Sequence, residues 1–356
     1  MKPKQFGKAA MLTVVLLALF IGGWEWYWRS KGYETLFDDS DALWADKRAM
    51  VYDAPDKSTV FIGSSRIKFD LDIPTWEKIT GDKAVQLAMV GSSPLPALYD
   101  LGNDEKFGGK LVIDVTEPLF FSNAPPFNKT PKENIEYYKK RTPTQRFSFE
   151  VNHFLESNFV FLNREYLSTN ALLGKLPLTR RPGVFVFPDF PEPFDRSYFS
   201  RQSFMADEFV KDTNLQKQMQ ANWAMLGEAA KRMPPASAKD LETMFTSAKD
   251  AIDKIRSRGG QVLFVRTPSS GPMGEGEKMG FPRDRFWDKL LAVTKTEGVH
   301  FADYAETAHF ICPEWSHLSP ADAITYTKLL IRQLEQKGWV FPHKTATANQ
   351  SSTSKL

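Results

Sequence analysis

Five short apolar runs constrain this chain more than any other feature. Residues 59–62 (Thr-Val-Phe-Ile), 84–89, 111–115 and 262–265 are bounded by glycine or polar residues, and a weaker run covers His300 to Asp303. None keeps the strict alternation of a strand with one wet face. Each therefore predicts a short strand covered on both sides, as in a parallel sheet. Helical patterns fall between them, at Pro94 to Leu101, Ala238 to Arg258, Arg283 to Thr296 and Pro320 to Lys337. Ser319 is placed to cap the last of these, Pro320 suits its first turn, and Gly338 ends it. Strand–helix alternation of this kind predicts an α/β fold, a three-layer doubly wound sandwich with about five parallel strands.

A different physical signal precedes this pattern. Lys2, Lys4 and Lys8 lead into an apolar run over residues 9–24, which ends in Trp24, Trp26, Tyr27 and Trp28. About 20 mostly apolar residues span a bilayer core, lysines favour the cytoplasmic side, and aromatic residues favour an interface. Residues 1–29 are therefore expected to be a cytoplasmic N-terminus and transmembrane anchor. A cleaved signal peptide is the rival reading, but no A-x-A pattern closes the run. In either case the remainder is expected outside the cytoplasm, on a single-pass protein of the cytoplasmic (inner) membrane.

Residues 30–57 are polar and read as a juxtamembrane linker with a helix. An α/β domain is expected over 58–341, with a large insertion after the third strand at about 119–236. That stretch carries Pro125-Pro126, the basic Lys139-Lys140-Arg141, and a Pro/Phe-rich segment from Pro182 to Pro193. Loops this long are usually functional or form a subdomain. Residues 342–356 read as a disordered Ser/Thr-rich tail. A net charge of +3 over 356 residues gives no electrostatic footprint for nucleic acid. The single cysteine, Cys312, excludes an internal disulfide and a cysteine-based metal site, and the five histidines show no zinc spacing. No metal or cofactor is expected.

Three short segments carry candidate chemistry. Gly63-Ser64-Ser65-Arg66 directly follows the first strand, which would set the Ser65 hydroxyl and its backbone N–H at the ligand-binding edge of the sheet. Gly91 follows the second strand and could offer a second N–H. Glu314-Trp315-Ser316-His317 precedes the capped last helix, where an acid three residues before a histidine can fix the tautomer of a proton-shuttling imidazole. Each segment alone is also an ordinary turn.

In this order, the segments resemble the SGNH (GDSL-like) hydrolase family. Gly63-Ser64-Ser65 matches the block with the nucleophile, Gly91 the oxyanion glycine, and Glu314-x-x-His317 the final Asp-x-x-His block. The Gly-Ser-Ser-Arg form, with an anchor and a Ser-His-Leu ending, is similar to extracytoplasmic members linked to polysaccharide O-acetylation. The resemblance covers residues 58–120 and 259–337. It implies a flavodoxin-like sheet, Ser65 as nucleophile, His317 as base, Glu314 as the orienting acid, and Ser65 and Gly91 as oxyanion donors. It further implies a serine esterase or O-acyltransferase acting on an acyl (acetyl) ester of a glycan or acylated small molecule, with a membrane-bound acyltransferase as candidate partner. Two departures stand out: Glu314 replaces the family's Asp, leaving Asp303 as a competitor, and Val115-Thr116-Glu117-Pro118 stands where the family carries an oxyanion Asn. Gly102-Asn103-Asp104 lies before the third strand and reads as a helix-terminating turn. Arg66 and Arg266 are candidate substrate-binding residues, with structural ion pairs as the alternative. A non-catalytic scaffold that binds glycan, or assists a membrane acyltransferase, remains the second functional reading. A phosphate-binding reading is weaker, because Gly63-Ser64-Ser65 lacks the lysine and spacing of a P-loop.

Overall fold

A computed structural model describes residues 3–53, 57–163 and 188–342, with single positions at 167, 171, 173 and 176. The tail from residue 343 and part of the Pro/Phe-rich segment lie outside the described residues. The chain divides into two compact units, one made of Met1–Asp38 and Arg141–Val186, the other of Asp39–Lys140 and Phe187–Leu356.

The first unit is built on helix α1 (Pro3–Ser30), which from Phe6 onward is long and apolar enough to cross a membrane. Helix α2 (Asp41–Ala49) falls in the expected linker and belongs to the second unit.

The second unit is α/β. Strands β1 (Ser58–Ile62), β2 (Lys83–Gln86) and β3 (Lys110–Asp114) are joined through helices α3 (Ser65–Asp70), α4 (Ile73–Thr80) and α5 (Leu95–Asn103). Helices α6 (Glu117–Phe120) and α7 (Pro125–Lys140) follow β3. Helix α8 (Pro143–Asn158) belongs to the first unit. The chain returns with a small hairpin, β4 (Arg196–Ser197) and β5 (Ser203–Phe204), then helices α9 (Asp207–Lys211), α10 (Thr213–Ala230) and α11 (Ala238–Ser257). Strand β6 (Gln261–Arg266), helices α12 (Gly271–Gly280) and α13 (Trp287–Thr294), strand β7 (Gly298–His300), and helices α14 (Ala305–Ala308) and α15 (Pro320–Gln336) complete it.

The five strands of the main sheet are parallel, in the order β2-β1-β3-β6-β7. Successive side chains of a strand face opposite sides, and here both sides are apolar cores. Val60, Ile62, Ile113 and Phe264 pack with Leu98, Leu101, Ile252 and Leu290 from α5, α11 and α13. Phe61, Val112, Leu263 and Val265 pack on the other side with Ile67, Trp76, Tyr326 and Leu330 from α3, α4 and α15. Helices on both faces explain why these runs carry no polar alternation. The chain leaves β1 for β2 on one side and then crosses to β3 on the other. That reversal opens a crevice at the carboxyl ends of β1 and β3.

The edge strand differs from expectation. Pairing ends at Arg266 with His300. Phe301–Asp303 turns away as a 3₁₀ turn, capped by the His300 side chain accepting from the Ala302 N–H at 3.2 Å. Asn103 ends α5, and Asp104 is its extended cap, consistent with a helix-terminating turn.

Gly63 shows how tightly the crevice is built. A Cβ there would lie 2.6 Å from Asp114 Cβ and 2.7 Å from Ile67 Cγ2. Gly63→Ala is therefore expected to lose about 1–3 kcal/mol of stability through overpacking. Denaturant titration of the full chain in detergent, followed by near-ultraviolet circular dichroism, checks this; an unchanged midpoint would contradict it.

Candidate active site

The site begins with the end of β1. Ser64 is the N-cap of α3, so Ser65 is the first residue of the helix. The Ser64 hydroxyl lies 2.6 Å from the Thr116 hydroxyl beyond β3, which ties the two strand ends together. Ser65 is therefore held at the mouth of the crevice by its buried neighbour, and its own side chain is half-buried.

The Ser65 Oγ lies 2.8 Å from His317 Nε2. On the far side of the ring, His317 Nδ1 lies 3.0 Å from Glu314 Oε1. A carboxylate can only accept, so the proton belongs on Nδ1 and leaves the Nε2 lone pair facing the serine hydroxyl. The turn that carries the pair is unusual. Trp315 has φ of 79°, a left-handed conformation rare for a bulky side chain. It folds the backbone back so that the Ser316 and His317 N–H groups also donate to Glu314 Oε1, at 3.3 and 2.6 Å. Trp315 O in turn accepts from Ser270 N at 2.9 Å.

Three further supports come from outside the turn. Trp223 of α10 donates its indole N–H to Glu314 Oε2, and Gln220 donates to Pro313 O at 3.0 Å. On the opposite side, Asp70 Oδ1 accepts from the Leu318 N–H at 2.9 Å. Burial pushes the Asp70 carboxyl well above the usual carboxylate range. The imidazole itself is enclosed by Phe69, Phe194 and Trp223, with ring centroids 4.4, 5.7 and 6.1 Å away.

Gly91 sits in the turn after β2 with φ of 59°, a conformation glycine adopts without steric cost. Met89 N donates to Gly63 O at 3.1 Å, which ties this turn to the one before Ser65. Among the described residues, neither the Ser65 nor the Gly91 amide makes a hydrogen bond. Beyond β3, the Thr116 side chain is engaged with Ser64 and, at 3.1 Å, with Asp114.

The remaining candidates fall elsewhere. Asp303 forms an exposed ion pair with Arg283, with Nη2 2.8 Å from Oδ2, so the acid against the imidazole is Glu314. Arg66 and Arg266, expected as substrate-binding candidates, are instead buried in ion pairs, at 2% and 3% exposure. Arg66 Nη1 lies 3.1 Å from Glu277 Oε2, and its Nε is 3.3 Å from Ser316 Oγ. Arg266 reaches Glu117 at 3.0 Å and Glu277 at 2.6 Å. Burial opposes the charge on Glu277, but the two guanidiniums outweigh it and hold the carboxyl below its usual range. These arginines tie α3, α6, β6 and α12 together beside the crevice.

Trp223, Gln220, Asp70 and Glu277 carry no local sequence signal, because each acts across a long separation in the chain. A comparison of the sequence with protein-family models and with curated proteins finds no match.

Removing one donor to a buried charged group costs about 1.5–3 kcal/mol. Trp223→Phe keeps the ring and removes the donor. It is expected to slow reaction of Ser65 with a fluorophosphonate about tenfold or more. Labelling rates measured beside the wild type would contradict this if the two matched.

Proposed function

We propose that this chain is a serine esterase or O-acyltransferase of the SGNH type. The observation that carries the reading is the continuous relay from Ser65 through His317 to Glu314. A serine hydroxyl is a weak nucleophile until a positioned base takes its proton. Here His317 Nε2 is within hydrogen-bond reach of that hydroxyl, and Glu314 holds the opposite nitrogen. The strand order β2-β1-β3-β6-β7 also supports the reading, since it follows the flavodoxin-like order with the serine at its switch point.

In this mechanism Ser65 Oγ attacks the acyl carbonyl carbon as its proton passes to His317 Nε2. The oxygen that becomes anionic is met by the Ser65 and Gly91 N–H groups. Collapse breaks the ester bond, and His317 returns the proton to the departing alcohol. Water or a sugar hydroxyl then attacks the acyl-serine, giving its proton to His317, which returns it to Ser65 as the acyl group leaves. Glu314 stabilises the imidazolium in both halves.

The acyl group is proposed to be acetyl and the substrate an extracytoplasmic glycan, on the resemblance of the serine and histidine blocks. Helix α1 supports a single-pass anchor with the N-terminus inside, given Lys2, Lys4 and Lys8 before the span and Trp24 to Trp28 after it. A membrane-bound acyltransferase is the candidate partner in that setting. A second reading, a scaffold that binds glycan without turnover, is favoured by the end of β3. There Val115-Thr116-Glu117-Pro118 carries no side-chain carboxamide, and one lost oxyanion donor costs about 3 kcal/mol.

The wild-type full chain is expected to release acetate from an acetylated oligosaccharide, or to transfer it, through an acetyl-enzyme mapped to Ser65. Ser65→Ala should abolish both with the fold intact. Turnover at background, together with tight glycan binding, would favour the scaffold.

A further inference from the structure

Helix α8 differs from the long helices of the α/β unit, each of which buries at least one residue. It is well specified locally: Thr142 and Gln145 form a reciprocal capping box, with Gln145 N 3.2 Å from Thr142 Oγ1 and Thr142 N 2.7 Å from Gln145 Oε1. Pro143 begins the first turn. Yet none of its 16 residues is buried. Helices of about 12–15 residues are marginal in water unless an apolar face is covered.

The uncovered face is narrow and strongly apolar. Phe147, Val151 and Phe154 are 71%, 42% and 67% exposed. At 3.6 residues per turn they fall within about 60° of arc. His153 lies about a third of a turn round, and its ring meets Phe37 at 5.6 Å, so that side is turned toward the unit's own chain. Arg146 and Glu150 border one edge of the apolar stripe and Thr144 and Ser148 the other, all four exposed.

The far end of α8 is tied to one level of α1. Val160 N and Phe161 N, just past the helix, donate to Glu25 Oε1 and Oε2 at 3.0 and 3.3 Å. Arg29 Nη2 reaches the carbonyl of Asn158, the last helical residue, at 3.3 Å. Glu25 lies between Trp24 and Trp26, within the aromatic cluster that ends the apolar run. Aromatic clusters of this kind settle at the boundary between hydrocarbon and headgroups. The end of α8 is thereby held at the level of this aromatic cluster.

We infer that α8 is a second membrane contact, an interfacial helix that lays Phe147, Val151 and Phe154 into the lipid headgroup and acyl boundary beside the end of α1. This rests on α1 spanning the bilayer. An amphipathic helix in this position gains from burying its aromatic stripe while its polar flanks stay hydrated.

The test uses the full chain in phosphatidylethanolamine–phosphatidylglycerol vesicles. Nitroxide labels are placed singly through Phe147→Cys, Val151→Cys and Phe154→Cys, with Leu16→Cys as the span control and Lys249→Cys as the water control. Cys312 is buried, so labelling falls on the introduced thiols. The expected result is a several-fold higher ratio of oxygen to nickel-chelate collisions at 147, 151 and 154 than at 249, with Leu16→Cys also lipid-like. Water-like ratios at the three α8 positions, with Leu16→Cys still lipid-like, would overturn the inference and leave the span intact. A water-like Leu16→Cys would remove the span and the inference together. Shielding of the α8 labels from both collision partners would show that protein, a second copy or another chain, covers the face, and would overturn it too. Three independent positions keep the test valid should one variant fail to fold.

Discussion

A carboxylate taken out of water is costly unless hydrogen-bond donors replace its hydration. Glu314 is fully buried and meets that demand with four donors: the ring of His317, the amides of Ser316 and His317, and the indole of Trp223. One carboxylate thus sets the left-handed turn at Trp315, the tautomer of the imidazole, and the docking of α10 onto the crevice. The methylene that distinguishes Glu from Asp is accommodated by this arrangement, since the longer side chain curls back over its own turn.

Charge pairing in the interior does related work elsewhere. Arg66, Arg266, Glu117 and Glu277 form a buried cluster that joins α3, α6, β6 and α12. Lys68 on α3 and Arg201 share Asp39, at 2.7 and 2.6 Å. Burial would raise the Asp39 carboxyl, but these two cations hold it well below its usual range. Arg201 also donates to the carbonyls of Gln86 and Ala88, at 2.7 and 2.9 Å. Such pairs are weak evidence for stability, because desolvation offsets their attraction. Their geometric effect is clearer: each fixes a strand end or helix start that borders Ser65, His317 or Gly91.

Burial on both faces is what made β1, β2, β3 and β6 legible in the sequence, since each run is apolar without alternation. The start of α15 was equally legible, because Ser319 and Pro320 are local signals. The short helices α3 and α4 were not, as Ser65 to Thr80 mixes Lys68, Asp70 and Asp72 with apolar residues and lacks a long repeat. At the site, Ser65 and His317 could be nominated because each adjoins a readable element. Arg66 and Arg266 could not be assigned, because their partner Glu277 lies 211 residues beyond Arg66. The sequence after β3 reads as one insertion, while residues 141–186 group with the N-terminal helix and the rest with the α/β unit. Within the first group Glu25 accepts from the amides of Val160 and Phe161, a pairing no local pattern announces.

Activation of Ser65 by the buried His317–Glu314 pair is the central claim, and its most direct measurement is covalent. The full chain is treated with a fluorophosphonate and the adduct mapped by mass spectrometry, beside His317→Gln and a control serine esterase. The account predicts a single adduct on Ser65 in the wild type, with labelling slowed at least a hundredfold in His317→Gln, the scale of one positioned base. An unlabelled wild type under conditions where the control esterase reacts, or equal labelling of the His317→Gln variant, would contradict it.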